Sequence, residues 1–250
     1  GDPDRIIWNT FTKCIWKGGT STDWNDASNW INDTGGALGF VPGTPTNTAV
    51  DVIIPKGADR NCVMSATANN LHLEGTIRVN FPDGSFTGIT GSANRTLTMN
   101  TGVTLFQVDG DFMIDDDGAI SVHSDAAPNQ CRIEVGGTIN FDNNAVTFTE
   151  GTSILACVGD QRQRVTLRGE QLYTLEVAAT KTGDVFCGGA TVMNGNLEVK
   201  GGLFRGNAGG ANIRVKGDMI QTGGDIFPWN SDFFLEGSWL NTGGTMANAG

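Results

Sequence analysis

The side chains best placed to do chemistry in this 250-residue sequence form two runs of opposite charge. The acidic run is Asp109, Asp111, Asp115, Asp116 and Asp117. Oxygen ligands at alternating positions can hold Ca²⁺, which makes Asp109, Asp111, Asp115 and Asp117 the candidate metal ligands. The run lacks the ligand order and terminal Glu of an EF-hand loop, and it reads equally as an acidic corner rich in turn formers. The basic run is Arg162-Gln163-Arg164-Val165-Thr166-Leu167-Arg168. With Val165 and Leu167 inward, strand alternation sends Arg162, Arg164, Thr166 and Arg168 outward, their side chains about 7 Å apart. Guanidinium groups in such a row can meet an anionic glycan, so Arg162, Arg164 and Arg168 are the candidate ligand-binding residues. A plainer use of the same row is to keep a sheet face soluble by pairing with acids on the next strand.

Other reactive types are sparse. His72 and His123 are the two histidines, and both are expected on outward strand positions beside inward Leu71 and Val122. No G-x-S-x-G elbow, P-loop or H-E-x-x-H occurs, so no serine hydrolase, nucleotide or zinc-protease site is recognisable. The five cysteines, Cys14, Cys62, Cys131, Cys157 and Cys187, show neither CxxC nor Cys/His spacing, which argues against zinc. Pairing of Cys14 with Cys62 and of Cys157 with Cys187 is one reading; buried free thiols are the other. Trp8, Trp16, Trp24 and Trp30 crowd the first thirty positions, either as core or as a sugar-stacking platform. Trp229 and Trp239 are later candidates for the same use.

The elements that must position these residues are announced by a repeat. Gly195-Asn196-Leu197, Gly217-Asp218-Met219 and Gly237-Ser238-Trp239 share a Gly-polar-apolar form, and each is followed by a Gly-Gly step at 201, 223 and 243. The spacings are 22 and 20 residues. Short alternating strands joined by glycine corners at this period make one turn of a β-solenoid, which buries its apolar side chains only by stacking on further turns. From Cys62 to about Val158 the alternation continues less regularly, with Gly75, Gly110 and Gly137 35 and 27 apart, so insertions such as 81–95 are expected to protrude. Composition agrees: 36 glycines and abundant Asn and Thr suit strands and turns rather than helices.

The net charge of -11 disfavours nonspecific binding to nucleic acid or anionic lipid. No run of 18 apolar residues is present to span a membrane. The N-terminal Gly1-Asp2-Pro3-Asp4 lacks the features of a signal peptide, and Gly243 to Gly250 follows directly on a repeat corner; the expectation is an excerpt whose repeats continue in a parent chain. Asn32-Asp33-Thr34 and Asn94-Arg95-Thr96 have the form of N-glycosylation acceptors.

Residues 1–57 differ in kind from 58–250. The string Trp16-Lys17-Gly18-Gly19-Thr20-Ser21-Thr22-Asp23-Trp24-Asn25-Asp26-Ala27-Ser28-Asn29-Trp30, with Asp23 placed to cap a short turn, continues through Phe40-Val41-Pro42 to Val52-Ile53-Ile54-Pro55. It resembles a W-x-G-x-x-S-T-D-W-x-x-A-x-N-W module of secreted bacterial β-solenoid proteins. A second phrase, Gly159-Asp160-Gln161, Leu172-Tyr173-Thr174-Leu175 and Gly195-Asn196-Leu197-Glu198-Val199, is similar to repeat text in Bacteroidetes-type surface adhesins.

The resemblance implies a right-handed parallel β-helix (β-solenoid) with an N-terminal Trp-rich cap over 1–57 and solenoid repeats over 58–250. It further implies secretion to the cell surface, by the type IX route of such bacteria, and a structural or adhesive role without catalytic residues or a required cofactor. The expected partners are surface glycans or polysaccharide and further repeats of the parent chain. The rivals are a polysaccharide lyase or glycoside hydrolase on the same scaffold, using Asp109 to Asp117 with Arg132, and a carbohydrate-binding module.

Overall fold

The structure, a computed structural model, describes residues 13–48, 50–65, 71–82, 86–141, 145–207 and 209–247. Among these there is no α-helix, and no helix long and apolar enough to cross a membrane. Twenty-seven short strands wind into a parallel β-helix with three faces, each turn contributing one strand to each face. Face C has eight strands and so counts eight rungs; face A has eleven; face B has four, continued lower in the stack by the four of face D. The first rung is Cys62–Met64, Leu71–Leu73 and Ile77–Phe81, and the eighth is Phe233–Leu235, Trp239–Asn241 and Thr245–Met246. The expected right-handed winding is the hand that parallel crossovers adopt almost without exception.

The repeat read in the sequence is the corner code of this coil. Each Gly-polar-apolar triplet turns the chain into face C, at Leu197–Val199, Met219–Gln221 and Trp239–Asn241. Its polar residue ties rung to rung: Asn196 Oδ1 accepts from Asp218 N at 2.9 Å, and Asp218 Oδ1 from Ser238 N at 2.8 Å. Each Gly-Gly step turns into face A. The second glycine there has a left-handed backbone, φ 62° at Gly224 and 81° at Gly244, and a β-carbon on Gly244 would lie 1.8 Å from the Gly224 carbonyl. Only glycine meets both demands.

Alternation then stacks like on like. Leu71, Phe106, Ile133, Leu155, Leu175, Leu197 and Met219 share one column inside face C. One hydrophobic core runs without a break from Cys14 and Trp16 in the cap to Ile226 in the seventh rung. The boundary expected near residue 57 therefore falls within a single sheet and a single core.

The cap covers the first rung on every face, where bare strand edges would invite pairing with other chains. On face A, Lys13–Trp16 runs parallel to Asp51–Pro55 and antiparallel to Trp30–Ile31. On face B, Val63 is bonded to Thr22 O and Trp24 N; on face C, His72 N reaches Gly43 O and Glu74 N reaches Thr48 O. Trp16, Trp24 and Trp30 close the top of the core, fully buried, in edge-to-face contacts of 5.0 and 4.8 Å, with Trp24 6.3 Å from Phe106 of the second rung. These three are core, and the sugar-platform reading of them is overturned; Trp8 lies outside the described residues. Asn29, also fully buried, accepts from Thr20 N and Ser21 N and donates to Ser21 Oγ and Asp23 O. The short helical turn Ala27–Asn29 is capped by Asp26 rather than by Asp23, which instead accepts from Asn25 N.

The insertion over 81–95, expected to protrude, is folded back at its described apolar residues. Its Phe86 and Ile89, with Phe81, fold back on face A and cover the outward Ile15, Ile31 and Ile53 in a second small core. Outward apolar side chains at that end of the face require such a lid.

Candidate functional site

Strand register places four outward side chains of face A in one column on consecutive rungs: Arg164, Phe186, Arg205 and Phe227. Beside them lies a groove of about 310 Å³ lined by Arg162, Arg164, Phe186, Gly188, Asn207 and Trp229. The Arg162 guanidinium stacks 4.4 Å from the Phe186 ring centre, with Arg164 at 5.9 Å from the same ring. Arg205 lies 5.5 Å from the Phe227 ring and 5.9 Å from that of Trp229, and its Nε donates to Asp184 at 2.9 Å. Trp229 holds a left-handed backbone, φ 56°, which is unusual for so bulky a residue. The groove thus combines fixed cations with ring faces, a pairing suited to oxyanions carried on flat or ring-shaped molecules.

Face C carries the opposite arrangement. Glu134, Ala156, Glu176 and Glu198 share an outward column on rungs three to six. Small Ala156 leaves room for Arg132 to reach across a rung and grip Glu176 at 3.0 and 2.8 Å, while its Nε donates to Glu134 at 2.7 Å. Lys200 closes the other side, 2.7 Å from Glu176 and 2.8 Å from Glu198. Burial of Glu176, whose side chain is 4% exposed, would raise its pKa, but the bonds and charges of Arg132 and Lys200 outweigh that and hold the carboxyl below its usual range. A carboxylate so held is the reverse of a general acid.

The acidic run, in contrast, is dispersed. Asp109 faces His72 Nε2 at 3.0 Å, and Asp111 accepts from Thr138 N at 2.6 Å. Asp115 is gripped twice by Arg78 at 2.8 Å, Asp116 pairs with Lys56, and Asp117 is exposed. Among the described residues no three carboxylate, histidine or cysteine side chains converge on a metal position. The pairing of Arg132 with the aspartates does not form, because Arg132 is committed to two glutamates on another face. A larger cavity of about 420 Å³ near the cap includes Lys13, Asp51, Arg78 and Asp111, where Asp51 and Asp111 cap backbone N–H groups and Arg78 is paired.

Of the basic run, Arg162 and Arg164 reach the groove, and Arg168 does not; it turns away with φ 54° at the corner. Thr166, expected outward, is buried at the end of its strand, where Leu167 and Arg168 turn the corner. His123 is not solvated: its side chain is 6% exposed, its Nε2 lies 2.9 Å from Val103 O and its Nδ1 3.3 Å from Asp125. Trp239 continues the inward column below Met219 in the eighth rung, at 46% exposure, and is not a platform on an outer face. All five cysteines are free and buried, so neither disulfide pairing is present. Burial pushes the thiols of Cys14, Cys131 and Cys157 up to about 12 and that of Cys187 to about 11. Asn32 is buried, with its Oδ1 accepting from Thr34 N and Gly36 N, whereas Asn94 is exposed.

Sequence reasoning missed Phe186, Glu176 and Lys200, while Trp229, named as a stacking candidate, lines the groove. A signal for Phe186 was present: it stands 22 residues after Arg164, one period of the repeat. What fold and groove define is a class, a capped parallel β-helix with a cationic and aromatic strip along one outer face. Among protein-family models, curated proteins and solved structures, none matches this chain.

Proposed function

We propose that this chain is a non-catalytic structural and adhesive segment of a larger secreted bacterial surface protein, in which stacked rungs supply length and stiffness and an outer face supplies contact. One observation carries the reading. In the strongest carboxylate cluster, Glu176 is held by both Arg132 and Lys200 and used to brace rung to rung, while the cations of the face A groove are left open. Paired carboxylates for glycoside hydrolysis need one member protonated and the other free, and Glu176 meets neither condition. The resemblance of the Trp16 to Trp30 string to a module of secreted bacterial β-solenoids, and of the phrase at 159–199 to repeat text of Bacteroidetes-type surface adhesins, supports export to the cell surface and passage by the type IX route.

The test is incubation of the purified chain with a panel of polysaccharides, with and without calcium, followed by product analysis and by adhesion of chain-coated beads to the same polymers. Adhesion without products is the expected result. Shortened or unsaturated products would overturn the reading in favour of an enzyme.

A further inference from the structure

The groove on face A holds two arginines that no carboxylate of the described residues compensates; of the others without a carboxylate, Arg60 and Arg95 bond to backbone carbonyls and Arg168 stands exposed at a corner. The chain has 27 acidic against 16 basic residues, and Arg78, Arg132, Arg205 and Arg214 each pair with a carboxylate. Arg162 and Arg164 pair with none among the described residues, although both are exposed on an acidic surface. They are nevertheless held in place. The Arg162 guanidinium lies over the Phe186 ring, and that of Arg164 rests across Gly188, where a β-carbon would come within 2.6 Å of its Nε. Opposite them, the half-buried Trp229 is fixed by contact with Phe227 at 6.3 Å and with the Arg205 guanidinium, in a backbone conformation a tryptophan rarely takes.

We propose that this groove binds an acidic polysaccharide, with the oxyanions of its sugars on Arg162 and Arg164 and a neighbouring pyranose face against Trp229. The inference rests on the adhesive reading above and names its ligand. Guanidinium groups bind carboxylate or sulfate through two parallel N–H donors, and an aromatic face accepts the C–H face of a pyranose. Geometry favours a polymer lying along the solenoid axis. Rungs are about 4.8 Å apart, close to the advance per sugar of an extended polysaccharide, so a chain on the column would meet Arg164, Phe186, Arg205 and Phe227 in turn. A nucleic acid is disfavoured: its affinity comes from neutralising many phosphates, and here two open cations sit on a chain of net charge -11.

The experiment is titration calorimetry of the full chain with polygalacturonate, dextran sulfate, neutral dextran and a single-stranded oligonucleotide, for the wild type and for the Arg162→Gln/Arg164→Gln double variant. Binding of either acidic polysaccharide, absent for neutral dextran and weakened about tenfold or more in the double variant at an unchanged melting temperature, is expected. The carboxylate and sulfate arms identify which oxyanion is preferred. Equal binding by wild type and double variant would overturn this site while leaving adhesion in place. No binding of either acidic polymer, or tighter binding of the oligonucleotide, would overturn the ligand. Polymer degradation in the cell would instead overturn the non-catalytic reading and leave the groove as the place of binding.

Discussion

Replacing Glu176 by glutamine asks whether the charged cluster on face C is a brace or a site. The substitution keeps the size of the side chain and removes one charge from a group that receives two bonds from Arg132 and one from Lys200. Severing a fully buried ion pair costs about 3 to 5 kcal/mol. Here the loss should be smaller, because Arg132 and Lys200 are 27% and 34% exposed and keep Glu134 and Glu198 as second partners. About 2 kcal/mol is the expected cost at neutral pH, in line with charged hydrogen bonds of about 1.5 to 3 kcal/mol each, partly replaced. The pH dependence follows from the lowered pKa of Glu176. A carboxylate depressed on folding contributes stability that is full above its unfolded value and is lost as pH falls through its folded value. The gap in urea midpoint between wild type and Glu176→Gln should therefore be full at neutral pH and smaller in acid, shrinking only below the ordinary glutamate range as pH falls through the lowered value. Urea titrations followed by circular dichroism at neutral pH and in acid read this directly. An unchanged midpoint at neutral pH, or a gap that persists in acid, would refute the brace.

Three further outcomes are expected. Asn29→Ala removes an amide that satisfies the backbone N–H groups of Thr20 and Ser21 at the edge of the cap; the loss of these two partly buried hydrogen bonds should cost about 1 to 3 kcal/mol in a denaturation titration. The five cysteines should be silent to a thiol reagent in the native chain at about pH 8 and all titrate after unfolding, because burial holds the thiolate form out of reach. Gly188→Ala would place a β-carbon 2.3 Å from Thr166 Oγ1 and 2.6 Å from Arg164 Nε, forcing the guanidinium to swing away. With the net charge unchanged, acidic polysaccharide binding measured by calorimetry should weaken by about 1 kcal/mol, or roughly fivefold.

The coil was legible because its corners are chemical. Glycine is required where one rung's backbone passes close over the last, as at Gly224 and Gly244, and those positions repeat at the rung period. Strands such as Thr96–Met99, Phe112–Ile114 and Ala119–Val122 were legible from alternation alone. The site was not legible in the same way, since in a solenoid an outward side chain finds its partners on the next rung. Asp115 pairs with Arg78, 37 residues earlier, and Asp116 with Lys56, 60 residues earlier, while the neighbouring aspartates face elsewhere. Reading those carboxylates as a string placed together groups that the corner at 115–118 separates. The Arg162 to Arg168 run failed in part for a related reason: strict alternation ends where Leu167 and Arg168 turn the corner.

The two outer faces show how a stack of this kind separates support from contact. An outward column is a row of side chains about 4.8 Å apart, too close for like charges to stand uncompensated. On face C the acids of the column draw Arg132 and Lys200 over themselves, and the result is a largely compensated patch that ties rungs three to six. On face A the column alternates cation and ring, so Arg164 and Arg205 stand two rungs apart with Phe186 between them, and Asp184 compensates only Arg205. The rings separate the cations and at the same time stack on them, which holds guanidinium groups in fixed positions without spending a carboxylate. A groove kept cationic in this way, on a chain with an excess of acids, is the surface that the proposed acidic polysaccharide would meet.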